Sequence, residues 1–316
     1  MTWRGESVLV TGASGFIGGA LVARLLDEGA RVRGLVRSVE RGASVAAMGA
    51  EPVVGDLADA DSLRRAAQGC AVVFHVAAAT GGPAAVQYAV NVTGTGRLVE
   101  EACRAGVRHL VHVSTVAVYG YHPADVITEE APLRPGREHY GQSKALGEKV
   151  LWERAAALGL DVTAVRPGMV YGPRSGFWSG LMFDLARRRP ALLPGDGSAY
   201  CPLIYIDDVV DLMLTVAGHP GAVGQAFNAV SDPPPTFREF FGAYAAMAGH
   251  QVFLSLPVWL LRSAAIAVEP LTRLRGEPQP VRDMVEAFVA RRRVYSMTKA
   301  ARLLGWRPRT SLAEGM

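Results

Sequence analysis

Residues 11–18 read Thr-Gly-Ala-Ser-Gly-Phe-Ile-Gly, directly after a β-rich run at 7–10 and directly before an apolar, helix-like stretch that reaches Leu26. Gly12, Gly15 and Gly18 stand three apart. Glycine permits a tight turn and lets the backbone approach a pyrophosphate, whose charge the N-terminus of a following helix favours. A glycine triad alone is weak evidence. Set between a strand and a helix, with further strand-helix units behind it, it predicts a dinucleotide site.

Working outward, β-rich runs recur at Arg31–Val36, Glu51–Val54, 71–76, 109–114 and 161–166, with helical stretches such as 84–105 and 138–158 between them. Alternation at this pitch predicts an α/β fold, a doubly wound parallel Rossmann sheet covered by helices on both faces. Ligands of such sheets sit beyond the carboxyl ends of the strands. After Pro167 the pattern becomes irregular. A strand-helix unit returns at 203–216, a further strand is expected at 225–229, and Pro233-Pro234-Pro235 marks a stiff turn. Three helical segments follow near 237–249, 257–275 and 279–292. The expected division is therefore a dinucleotide-binding domain over 1–167, with 203–230 returning to it. A smaller, mostly helical substrate lobe is expected over 168–202 and 231–316.

Composition narrows the class. Half of the 316 residues are hydrophobic and a fifth charged, as in globular proteins. The net charge of +4, from 33 basic against 29 acidic residues, carries no basic block or aromatic-interleaved stripe, so no nucleic-acid partner is expected. Cys70, Cys103 and Cys201 lack metal-ligand spacing and the seven histidines show no zinc-type pairing, so three reduced thiols, a cytoplasmic setting and no metal are expected. The N-terminus enters a strand almost at once, so no signal peptide is expected. The apolar stretch at 252–268, interrupted by Pro257 and Arg262, is short for a membrane span. It reads as a core or lid helix, with a surface helix dipping into a membrane as the alternative.

Within the 138–158 helix, Tyr140-Gly-Gln-Ser-Lys144 sets a phenol and an ammonium four residues apart, on one helix face. The chain has only three lysines among its 33 basic residues. A nearby cation stabilises phenolate, so the pair predicts a tyrosine whose pKa falls toward working pH, able to act as general acid or base. A solvated helix face is the plainer reading of the same spacing.

Glycine loop, Tyr-x-x-x-Lys and length together resemble the extended short-chain dehydrogenase/reductase family. Gly55-Asp56-Leu57 is similar to its acidic element at the coenzyme adenine, and Phe74-His75-Val76-Ala77-Ala78 to its fourth-strand motif along the coenzyme. Asn91-Val92-Thr93-Gly94-Thr95 resembles its helix-start motif, 114–120 its fifth-strand signature, and Arg166-Pro167 its sixth-strand exit beside the nicotinamide. Ile206-Asp207-Asp208-Val209 and 304–308 resemble landmarks of the second lobe. The resemblance implies a catalytic set of Thr115, Tyr140 and Lys144. The implied coenzyme contacts are Gly12, Ser14, Gly15, Phe16, Ile17, Gly18, Arg37, Asp56, Leu57, Val76, Ala77, Ala78, Asn91, Ser114, Tyr140, Lys144, Pro167 and Val170. Thr80, Thr115, Val116, Met169 and Tyr205 are the implied substrate contacts. Ser114 is the neighbouring alternative to Thr115, and since adjacent strand residues face opposite sides, only one of the two is expected at the substrate.

The end of the second strand, where an NAD-specific site usually carries an acid, reads Leu35-Val36-Arg37-Ser38, with Arg33 and Arg41 nearby. A guanidinium suits a 2′-phosphate, so NADP(H) is the expected cofactor. Against the family's sugar-nucleotide branch, Val116-Ala117 stand in place of a dehydratase Asp-Glu, and Met169 and Cys201 stand where diphosphate-gripping residues are usual. The apolar C-terminal lobe, with Leu254, Leu256, Val258, Trp259, Leu260, Leu261 and Ile266, resembles the 3β-hydroxysteroid dehydrogenase-like branch. Ordinary core packing accounts for at least half of those residues on the plainer reading. The expected activity is interconversion of a ketone and a secondary alcohol on an apolar small molecule, with a nucleotide-sugar epimerase or dehydratase as the alternative. A homodimer through 90–105 and 138–158 is implied by the resemblance.

Overall fold

In a computed structural model of the chain, the described residues are 2–251, 253–274, 281–289 and 293–316. From the N-terminus run β1 (Ser7–Thr11), α1 (Phe16–Asp27), β2 (Arg31–Val36), α2 (Val39–Ala47), β3 (Glu51–Val54), α3 (Ala60–Ala67) and β4 (Val72–His75). There follow α4 (Ala84–Tyr88), α5 (Thr95–Arg104), β5 (His109–Val113), β6 (Val126–Ile127), α6 (His139–Leu158), β7 (Asp161–Pro167) and β8 (Met169–Tyr171). The remainder comprises α7 (Met182–Ala186), β9 (Ala191–Pro194), β10 (Leu203–Tyr205), α8 (Ile206–Gly218), β11 (Ala226–Ala229) and α9 (Phe237–Met247). It ends with β12 (Phe253–Leu256), α10 (Val258–Leu274), α11 (Val281–Val289), β13 (Val294–Tyr295), α12 (Thr298–Leu304) and α13 (Leu312–Gly315).

Seven parallel strands form the central sheet in the order β11-β7-β5-β4-β1-β2-β3. The valine- and leucine-rich strands are buried on both faces, β4 and β5 completely, as a sheet sandwiched by helices requires. Chain order reverses between β1 and β4, so the crevice for a ligand opens beyond their carboxyl ends. The glycine loop after β1 and residues 76–78 after β4 flank that crevice.

Four expectations need correcting. The helix expected over 84–105 is broken by a π turn at Ala89–Gly94, which carries Asn91 against α6. A Cβ on Gly147 would lie 2.1 Å from the Asn91 carbonyl oxygen, so the helices touch backbone to backbone. The strand at 203–205 pairs with β8 outside the main sheet, whereas α8 and β11 return to the sheet. Of the apolar stretch, Phe253–Leu256 is a strand paired with β9. Within α10, only Ala265 and Glu269 are buried over 258–270, while Trp259 is 68 % exposed and Leu254, Leu260 and Ile266 are also open. Core packing therefore does not account for them, because α10 packs mainly on α11, to which Arg262 forms a two-pronged ion pair through Glu286. The parts of the expected helices that fall on Arg275, 279–280 and 290–292 lie outside the described residues, as does Val252. Among the described residues no helix is long and apolar enough to cross a membrane.

Candidate active site

Two glycines of the first motif are sterically compelled. Gly12 has φ +70°, and a Cβ there would meet the Ala77 backbone at 2.9 Å. A Cβ on Gly18 would lie 2.1 Å from the Gly12 carbonyl oxygen, so any side chain would displace the loop. Helix α1 starts at N-cap Gly15 with no side-chain cap, leaving the first N–H groups, those of Phe16 and Ile17, for an anion. Ser14 lies half-buried in the same turn. This cradle, which a Cβ would fill, fits a coenzyme diphosphate.

A buried relay holds the far wall. The Thr11 hydroxyl oxygen accepts the Val76 and Ala77 N–H groups at 3.2 and 3.1 Å and lies 2.9 Å from His75 Nδ1. With two donors on the oxygen, the hydroxyl proton goes to Nδ1, and His75 Nε2–H donates to the Thr95 hydroxyl (3.0 Å), which donates to the Asn91 carbonyl (2.8 Å). Burial, with the Lys144 charge, pushes His75 down to about 3, so the ring is neutral. The Asn91 amide is engaged within the protein: it grips the Ala79 N–H (2.8 Å) and carbonyl (2.9 Å) and donates to Ser143 Oγ (2.9 Å). Its contribution is to shape the 76–79 wall.

Thr115 and Tyr140 come together. The Tyr140 hydroxyl hydrogen-bonds the Thr115 side chain, and Thr115 Oγ1 also accepts the Ala117 N–H at 3.2 Å. Ser114 faces the opposite way, donating to Glu148 Oε2 at 2.7 Å in a buried setting, so its hydroxyl is not offered to the crevice and the expected coenzyme contact is limited to its backbone. Because β5 runs parallel to β4 with His112 opposite His75, Thr115 emerges beside the 76–78 wall.

Lys144 is buried, and its ammonium donates to the Val113 carbonyl (2.7 Å) and to His112 Nε2 (3.3 Å). His112 packs against His75 with tilted rings whose centroids are 5.0 Å apart, and its buried Nδ1 has no hydrogen-bond partner among the described residues. The expected acidification of the tyrosine is overturned here. Burial pushes Tyr140 up to about 12, against a lowering by the Thr115 hydrogen bond and with a small raising by Glu138. Burial pushes Lys144 down to about 8, opposed by Glu148. Loss of hydration outweighs the cation, because the ammonium is aimed at the end of β5.

Glu148, one turn beyond Lys144, escaped the sequence reading. It is fully buried, paired to Arg166 through Nη2 and Nε, and it also accepts Trp152 Nε1–H at 3.3 Å. Arg166 Nη1 in turn donates to the Tyr119 hydroxyl at 2.6 Å, which donates to Asn228 Oδ1 at 2.8 Å. This network fastens α6 to β7, β11 and the turn after β5. Tyr119 is thereby a structural residue, pushed upward in pKa by burial. Its sequence trace was an acid four residues past the lysine and an arginine ending a strand, a pattern shared with many surface pairs.

The other expected residues are placed as follows. Arg37 is exposed at the end of β2 with Ser38, which caps α2. Arg33 is occupied elsewhere, donating to Glu51 (3.1 Å) and the Gln68 carbonyl (2.6 Å), and so gives the 2′-phosphate region no support. Asp56 is exposed past β3 and accepts the Ala58 N–H at 2.7 Å, with Leu57 buried beside it. Pro167 and Val170 are buried at β7 and β8, Val116 is buried after Thr115, and Thr80 is exposed. Met169 Sδ lies 3.6 Å from buried Cys201 Sγ, and Tyr205 stacks edge-on against Tyr171 at 5.4 Å. Among the described residues no group of three His, Cys, Asp or Glu side chains could hold a metal ion.

A parallel sheet with a glycine cradle at its switch point and Thr115, Tyr140 and Lys144 beside it defines an enzyme of the extended short-chain dehydrogenase/reductase class. The chain belongs to the NAD dependent epimerase/dehydratase family, whose sequence profile matches residues 8–229. It is 34 % identical to a UDP-glucose 4-epimerase of Mycolicibacterium smegmatis, over 98 % of this chain and 95 % of that protein. It is 31 % identical to a 2-alkyl-3-oxoalkanoate reductase of Stenotrophomonas maltophilia, over 98 % and 97 %. Among solved structures it is similar to MoeE5 in complex with UDP-glucose and NAD, with a TM-score of 0.76, 26 % identity and coverage of 98 % and 95 %.

Proposed function

We propose that the protein is an NADP(H)-dependent oxidoreductase that interconverts a ketone and a secondary alcohol on an apolar small molecule. The observation that carries this reading is the Tyr140 hydroxyl bonded to Thr115, with buried Lys144 one turn along and the glycine cradle across the crevice. The coenzyme, when bound, supplies or accepts the hydride. Tyr140, protonated up to about 12, is the proton donor to the substrate oxygen in reduction. Thr115 donates a hydrogen bond to that oxygen as negative charge develops. The Lys144 ammonium has one proton beyond those given to Val113 and His112, and its charge favours the phenolate left behind.

Arg37 supports NADP(H): an exposed guanidinium with the N-cap hydroxyl of Ser38 next to it suits a 2′-phosphate. An apolar substrate is supported by the Met169–Cys201 contact and by the open apolar side chains of β12 and α10. The likeness to a reductase of an alkyl oxoalkanoate agrees with it. Nucleotide-sugar epimerisation is the second reading, favoured by the likeness to a UDP-glucose 4-epimerase. A second copy of the chain as partner is supported by a groove along α6 in which Leu133, Pro135, Ala145, Leu146 and Trp152 are joined by Gln142, Lys149 and Glu153.

The test is a screen of ketones of graded hydrophobicity, following NADPH and NADH absorbance, with UDP-glucose binding measured in parallel. NADPH consumption rising with ketone hydrophobicity is expected. Retention of UDP-glucose without ketone turnover would replace this reading with the second.

A further inference from the structure

We propose that Arg174 is a positioning residue for the coenzyme diphosphate, supplied from the loop after β8 to the glycine cradle. Among the described residues it alone, apart from glycines, has a positive φ, +72°. That conformation is disfavoured for any residue carrying a Cβ. Its guanidinium lies over Gly19 in the first turn of α1: a Cβ there would be 3.4 Å from Nη1 and 3.7 Å from Nη2. No hydrogen bond or ion pair joins that guanidinium to another described residue.

A cation beside a helix N-terminus is electrostatically misplaced, because that end of the helix carries the positive pole. Arg174 is exposed, and it joins a strained backbone to a charge with no counter-ion among the described residues, its guanidinium lying three residues along α1 from Phe16 and two from Ile17, whose N–H groups are uncapped. A diphosphate supplies the missing counter-charge, since it accepts from the helix end and from the guanidinium together, while the strained backbone is what carries the guanidinium to that place. Gly19, lacking a side chain, leaves its open face to Arg174. This assignment rests on the coenzyme reading above and adds to it a residue from outside the glycine motif.

The experiment measures dissociation constants of NADPH and NADH, and thermal unfolding, for the wild type, R174A and R174G. Both variants are expected to weaken both dinucleotides by the same factor, about tenfold or more, because the diphosphate is common to the two. R174G is expected to unfold at or above the wild-type temperature, since glycine takes the positive φ without strain. Affinity and stability then move in opposite directions, which a purely structural residue would not produce. Unchanged affinity in both variants, with the wild type binding normally, overturns the assignment and leaves the coenzyme reading standing. A loss confined to NADPH, or a lowered unfolding temperature in R174G, also overturns it. A wild type that binds neither dinucleotide removes the coenzyme reading and this assignment together.

Discussion

Lys144 keeps an ammonium in a place where hydration is lost, and the fold gives up stability to hold it there. Its folded pKa of about 8 lies below the ordinary 10.5, so the unfolded chain binds the extra proton between those values. Stability due to this group is therefore lowest below pH 8 and rises as pH climbs toward 10.5. The unfolding free energy of the wild type relative to K144M should increase by about 3 kcal/mol across that window, at about 1.4 kcal/mol for each pH unit. Urea unfolding of both proteins at pH 7.5 and 10.5 checks it, and parallel pH profiles would refute the buried ammonium. The same group sets a catalytic limb: reduction should be nearly flat to about pH 8 and fall above it, as the lysine loses its charge while Tyr140 remains protonated. A pH–rate profile of ketone reduction measures this, and a rate that rises above pH 8 would contradict it. The Tyr-Lys spacing was legible in the sequence because helix periodicity fixes it. The direction in which the tyrosine pKa moves was not, because burial depends on β5 and His112, which no local pattern announces.

At the scale of elements, α1 and α6 carry the two halves of the site and each is held by a contact that can be broken. Gly18→Ala places a methyl 2.1 Å from the Gly12 carbonyl, so the loop must move. We expect at least a tenfold loss of dinucleotide affinity, read by titration; unchanged affinity would show that the cradle is not where the diphosphate binds. For α6, Glu148→Gln leaves the buried Arg166 without its counter-charge, at a cost of about 3–5 kcal/mol. Chemical denaturation measures it, and a cost below about 1 kcal/mol would mean that the pair does not fasten the helix. The glycine-rich turn could be read from sequence because its geometry demands a residue type. The π turn at Ala89–Gly94 could not, since it goes with a backbone contact between Asn91 and Gly147 of α6 that no local pattern shows. The 253–256 strand was hidden for a different reason: four residues before a longer apolar run have no period of their own, and pairing with β9 decides them.

For the whole molecule, the seven-stranded sheet brings together residues more than a hundred positions apart, with the proposed coenzyme half from β1 to β4 and the proposed proton-transfer half from β5 and α6. That layout was legible from strand-helix alternation. The second lobe was less so, because α10 is apolar yet exposed and its packing on α11 is set by the Arg262–Glu286 pair rather than by a buried stripe. The proposed function puts a dinucleotide on the glycine loop and has a phenol, assisted by Thr115 and Lys144, pass its proton to the substrate. The most direct test pairs the coenzyme affinity and ketone-reduction rate of Tyr140→Phe with those of the wild type. We predict unchanged affinity and a turnover lowered about 10²–10⁴-fold. A variant that binds coenzyme and keeps more than a few per cent of the wild-type rate would contradict it.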